Sequence, residues 1–127
     1  MTKKIITSKL APSPLGPYNQ AVLVNDRTLY LSGQIPLDAE MSLVQGDLEA
    51  ETTQVMENLK AVLAEANMTF ENVVKTSIFL SDMNNFNLVN QVYGRYFEEA
   101  TAPARETVEV ANLPKFVRIE ISMIAER

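Results

Sequence analysis

The sequence predicts an α+β domain of two layers, in which a mixed β-sheet of five to six strands carries two helices packed on one face. Three observations predict it. Two segments repeat apolar residues at intervals of three and four, as one-faced helices do; several short segments are β-branched or alternate apolar with polar residues; and along the chain the order is strands, helix, strand, helix, strands. The length of 127 residues falls within the usual size of one domain, and no repeat, low-complexity tract or linker-like shift divides it, so residues 1–127 read as a single unit.

The elements follow in order. A short extended start covers Lys4 to Thr7, after which Pro12, Pro14, Gly16 and Pro17 exclude both a helix and a central strand and predict an ordered loop. Ala21 to Val24 and Thr28 to Ser32 read as a hairpin around Asn25 and Asp26, punctuated on its exit by Gly33 and Pro36. From Asp47, a plausible cap, Leu48, Val55, Met56, Leu59, Val62, Leu63 and Ala66 define the first helix, which Asn67 stops. Val73 to Leu80 is a strand. Asp82 then opens a second helix carrying Phe86, Val89, Tyr93, Tyr96 and Phe97, with Pro103 as its far limit. Arg105 to Val110 and Val117 to Ile124 read as two strands separated by Asn112, Leu113 and Pro114. Two helices cover only one face of such a sheet. The other face, where Arg118, Glu120 and Ser122 alternate with inward Ile119, Ile121 and Met123 but are followed by Ile124, has the mixed character of an oligomer interface.

Composition removes much chemistry. The chain has no Cys and no His, which excludes a disulfide, a thiolate nucleophile, a His-containing triad and the commonest metal ligands, and no metal or cofactor is expected. Catalysis is left to carboxylates, Tyr, Lys, Arg, hydroxyls and backbone groups. A net charge of −5, with Lys3 and Lys4 the only adjacent basic pair, argues against a nucleic-acid partner. No run of about 18 apolar residues suggests a membrane span, and Met1 to Leu10 lacks the apolar core of a signal peptide, so the expected compartment is the cytoplasm.

Strand alternation puts Arg105, Thr107 and Glu109 on one side of their strand and Glu120 on the polar side of the next; if those strands pair, Arg105 and Glu120 lie near one pocket. Spacing alone favours the plainer alternative of solvated surface residues, or half of a surface ion pair worth under about 1 kcal/mol. Motifs shift that balance. Gly16-Pro17-Tyr18, Ser32-Gly33-Gln34-Ile35-Pro36, Asn58-Leu59, Val74-Lys75-Thr76, Pro103-Ala104-Arg105, Val108-Glu109-Val110-Ala111, Leu113-Pro114 and Ile119-Glu120-Ile121, in this order over almost the whole chain, resemble the RidA/YjgF family, also called L-PSP.

The resemblance implies a chorismate-mutase-like α+β fold, a homotrimer with its sites at subunit interfaces, and, in the deaminase branch, hydrolysis of the enamine/imine intermediates 2-aminoacrylate and 2-aminocrotonate to 2-keto acids and ammonia. Alternatives within the same resemblance are a noncatalytic metabolite-binding trimer and an endoribonuclease or translation inhibitor. Arg105 would grip the substrate carboxylate with its planar fork, Glu120 would handle the proton of the attacking water, and Tyr18 would hydrogen-bond substrate or water. Ser32, Gly33, Asn90 and Thr107 would line the substrate, Gly33 through a closely approaching amide and Thr107 through its backbone carbonyl. Thr107 and Glu106 depart from the residues common at those positions, Cys and a small residue; alternation points Glu106 away from Arg105.

Overall fold

A computed structural model describes all residues, Met1–Arg127. Six strands form one sheet: β1 (Lys3–Ile6), β2 (Ala21–Val24), β3 (Thr28–Gln34), β4 (Val73–Leu80), β5 (Ala104–Glu109) and β6 (Ile119–Glu126). Their spatial order is β1-β2-β3-β6-β4-β5, and every neighbouring pair is antiparallel except β4 with β5. The β2–β3 hairpin turns where expected. Asn25 and Asp26 both take positive φ, 51° and 53°, and Arg27 N–H donates to the Val24 carbonyl at 3.0 Å, a turn whose backbone twist suits the strands it joins.

The helices α1 (Leu48–Glu65) and α2 (Phe86–Gly94) are the two crossovers, from β3 to β4 and from β4 to β5. Both crossovers move across the sheet in the same direction, so a single handedness leaves both helices on one face, where they also pack on each other. Asp47 caps α1 by accepting from the Glu49 amide at 3.0 Å, and Asn67 ends it in the left-handed region at φ 58°. Between sheet and helices lies the core, in which Leu29, Val55, Met56, Leu59, Ile78, Leu80, Ile119 and Ile121 are almost fully buried. The helical face of β6 is Ile119, Ile121, Met123 and Ala125, and its other face is Glu120, Ser122, Ile124 and Glu126. No layer of the chain covers that second face, which also carries half-exposed Tyr30 and Val108.

Two expectations are corrected. The second helix was expected to carry Tyr96 and Phe97, but it ends at Gly94; both rings lie beyond it and pack edge-on against Phe70, each with centroids 5.3 Å away. Apolar spacing alone could not separate a helical face from a cluster of aromatic rings at the helix exit. Asp82 does open the segment, capping a 3-10 turn (Met83–Asn85) that leads into α2. The second correction concerns β5 and β6, which do not pair, because β4 lies between them and pairs with both. A parallel β4–β5 pair needs a crossover, and α2 supplies one.

Candidate active site

Arg105 enters the sheet edge on the helical face. On β5 it stands opposite Thr76 of β4, which in turn stands opposite Met123 of β6, and both of those side chains are buried beneath the helices. The helix α2 meets the guanidinium with three residues at i, i+4 and i+7, one face of a helix. Asn90 Oδ1 accepts from Arg105 Nη1 at 2.8 Å, while the Arg105 Cζ lies 5.0 Å from the Tyr93 ring centroid and 5.7 Å from that of Phe86. Neither neighbouring acid takes the charge. Glu109 Oε1 accepts from the Met83 amide at 2.7 Å, and Glu106, on the opposite side of β5 as alternation predicts, pairs with Lys75 at 2.8 Å and accepts from Ser77. Those bonds from Lys75 and Ser77 hold the Glu106 carboxyl below the usual glutamate range. Arg105 thus keeps most of its five N–H donors for a ligand. Two positions along, Thr107 Oγ1 is buried with no hydrogen-bond partner.

Glu120 occupies the other face. Its place on β6 is opposite Phe79 of β4, and Phe79 is opposite Val108 of β5, a row three residues along β4 from that of Arg105 and on the reverse side of the sheet. Its carboxylate lies against Gly33. A Cβ built there would overlap Glu120 Oε2 and sit 2.7 Å from Cδ, so only glycine admits the acid this close to the β3 backbone. The pairing of β3 with β6 shifts between Leu31 and Gln34, a bulge that contains Ser32 and Gly33 and at which Gly33 meets the Glu120 carboxylate. Desolvation by the surrounding chain raises the Glu120 pKa above the ordinary carboxylate value.

Tyr18 and Gly33 line one small cavity of about 20 Å³, room for a single water, together with Pro12, Gln20 and Ile35. The Pro-rich loop that carries Tyr18 is fixed from inside by buried Gln20, whose Nε2 donates to the Ser8, Ala11 and Pro12 carbonyls at 3.1, 3.4 and 2.9 Å and whose Oε1 accepts from the Ser8 amide at 2.6 Å. Tyr18 hydroxyl oxygen accepts from the Leu15 amide at 3.1 Å, leaving its own proton to donate. Ser32 Oγ donates to the Asn19 carbonyl at 2.6 Å, so it braces the loop rather than presenting a free hydroxyl.

The residues expected in one pocket therefore form two groups. Arg105, Asn90 and Thr107 lie on the helical face at the β5 edge; Glu120 lies on the uncovered face against Gly33, which shares a small cavity with Tyr18 and follows Ser32 in the β3 bulge. The four main cavities of the single chain do not bring the two groups together, and a groove of about 490 Å³ between Thr69–Glu71 and Arg95–Glu98 contains none of these residues. Sequence reading missed the aromatic pair Phe86 and Tyr93, which it placed only on an apolar helix face. Their spacing from Asn90 was the available signal.

The family whose model matches the chain is described as Endoribonuclease L-PSP, over residues 8–127. A RutC family protein of Synechocystis is 54% identical over 127 residues, covering 98% of this chain and 97% of that protein. The human 2-iminobutanoate/2-iminopropanoate deaminase is 45% identical over 126 residues, covering 98% and 90%. Among solved structures, Escherichia coli TdcF with bound serine superposes with a TM-score of 0.91 at 36% identity, covering 98% of both chains.

Proposed function

The chain belongs to the L-PSP family, the RidA/YjgF proteins its motifs resemble, and from that premise we propose that it is a deaminase that hydrolyses 2-imino acids, reached from 2-aminoacrylate and 2-aminocrotonate, to 2-keto acids and ammonia. The observation that carries this reading is Arg105: an arginine held in place by an amide and two ring faces, with no carboxylate of its own chain to neutralise it. Its fork grips the substrate carboxylate through two charge-assisted hydrogen bonds, each contributing about 1.5 to 3 kcal/mol. The human relative carries the name of this activity, which supports the assignment.

Hydrolysis then needs one proton carrier. The oxygen of a water bonds to the imine carbon while the π pair moves to nitrogen; Glu120 accepts a proton from that water and returns it to the nitrogen. The C–N bond of the resulting carbinolamine breaks as its hydroxyl proton passes through Glu120 to the nitrogen, leaving a carbonyl and ammonia. A carboxyl whose pKa burial has raised is closer in basicity to these partners than an ordinary one. Because Arg105 and Glu120 belong to opposite sides of the sheet, the working site is assembled between copies of the chain, Arg105, Asn90 and Thr107 from one and Glu120, Gly33, Ser32 and Tyr18 from the next. A homotrimer with three such clefts also covers the open face bearing Tyr30 and Val108.

The test is a coupled assay in which threonine or serine dehydratase generates the enamine and keto-acid formation is followed with and without the protein. Acceleration is expected, and Arg105→Ala is expected to lower kcat/KM by about two orders of magnitude while the fold survives. Arg105→Lys rescues poorly because an ammonium lacks the two-pronged geometry. A folded Arg105→Ala protein with normal activity overturns the assignment. The serine bound in TdcF favours one second reading, a noncatalytic amino-acid-binding protein using the same groups; serine binding without acceleration in the assay identifies it.

A further inference from the structure

An arginine meant to hold a substrate carboxylate faces a conflict. Left free, its long side chain loses conformational entropy each time it binds; paired with an acid of its own chain, it is fixed but already neutralised. The surroundings of Arg105 resolve this by holding the cation with groups that carry no charge. Tyr93 contributes the nearer ring face, 5.0 Å from the guanidinium carbon. That ring is itself fixed at its far end, where Tyr93 Oη donates to Thr76 Oγ1 at 3.1 Å, and Thr76 is fully buried and directly opposite Arg105 in the β4–β5 register. The same two strand neighbours are thus joined twice, once through the sheet backbone and once through the Tyr93 ring. Burial keeps the Tyr93 phenol above its ordinary pKa, so it stays a neutral donor across the working range of pH.

We propose that Tyr93 is the positioning residue of Arg105: its ring face holds the guanidinium in the orientation that receives a carboxylate. The inference rests on the carboxylate-binding role assigned to Arg105 above. It concerns substrate affinity and not the proton transfers, which occur at Glu120, so its signature is a rise in KM with little change in kcat.

The experiment compares Tyr93→Leu and Tyr93→Phe with the parent protein in two measurements, steady-state imine hydrolysis and calorimetric binding of 2-oxobutanoate. Tyr93→Leu removes the π face and is expected to raise both KM and the Kd for 2-oxobutanoate roughly three- to thirtyfold, with kcat within about twofold. Tyr93→Phe keeps the face and loses only the tether, so affinity is largely restored although Thr76 is left without its partner. Both variants lower the melting temperature, whereas only one weakens binding; a residue that merely filled the core would not separate the two readouts. Should Tyr93→Leu fail to fold, progressive fluorination of a phenylalanine at position 93 drains the π face at nearly constant shape, and affinity is expected to fall with each added fluorine. Unchanged KM and Kd in Tyr93→Leu or across the fluorinated series overturn the proposal. If the parent binds 2-oxobutanoate without accelerating imine hydrolysis, the deaminase reading falls while the binding constants still decide the role of Tyr93.

Discussion

Glu120 occupies the space that any side chain at position 33 would need, and this makes Gly33 a switch on the acid rather than on the fold. The obstructing atoms belong to a flexible side chain and Gly33 does not adopt a left-handed φ, so Gly33→Ala is expected to push the carboxylate aside with little loss of stability. Imine turnover should fall at least tenfold in Gly33→Ala while thermal unfolding moves by only a few degrees. Loss of the fold instead would show that the bulge itself demands glycine. Glu120→Gln keeps the shape and removes the base, and turnover is expected to drop by about two orders of magnitude with binding retained. Its stability should change in the opposite sense. The folded pKa of Glu120 lies above the unfolded one, so the folded state loses stability as pH rises through that interval and carries the penalty at neutral pH. Glu120→Gln is therefore expected to melt higher than the parent at pH 7 and to lose that advantage below about pH 4, measured by calorimetry. Of these residues the sequence singled out Arg105 and Glu120 as candidates through chemistry and motif, and alternation correctly turned Glu106 away from Arg105. The face each occupies was not legible, because it depends on β4 entering between two strands that are consecutive in sequence.

At the scale of elements, local signals were sufficient wherever local physics decides. The Asp47 cap, the Asn25-Asp26 turn and the Val73–Leu80 strand stand where the residues put them. The Pro-rich loop was recognised as ordered, but what orders it is a single side chain twelve residues from its main partner. Gln20→Met keeps the volume and removes every bond to Ser8, Ala11 and Pro12, and is expected to cost about 2 to 4 kcal/mol in denaturant unfolding. Because Tyr18 rides on that loop, the same variant should also weaken substrate binding. An unfolding midpoint equal to that of the parent would mean that the prolines alone hold the loop. The premature end of α2 was beyond a periodicity argument, since Tyr93, Tyr96 and Phe97 fit one helical face equally well until Phe70 supplies a competing partner for the last two.

For the whole molecule, the division of the proposed site across the two sides of the sheet makes association and activity inseparable. Neither Arg105→Ala nor Tyr18→Ala alone is expected to be active, yet mixing the two chains under conditions of subunit exchange should regenerate a fraction of clefts with both residues intact. Light scattering should report a species near three times the 14.2 kDa chain, and a fully active monomer on dilution would exclude the shared cleft. The mixed outer face of β6 is the sequence feature that motivates the proposed oligomer, whereas the sheet order that gives this face its neighbours was not legible. That order has a further consequence. β6, which contributes Glu120, follows the other five strands of the sheet in sequence, yet it must be inserted between β3 and β4 at the middle of the sheet. A nascent chain lacking it has a three-stranded antiparallel fragment, β1-β2-β3, and a parallel β4-β5 pair joined by α2, each with an open inner edge, so productive folding waits for synthesis to pass residue 126. Until then those edges are the natural targets of chaperones that shield unpaired strands.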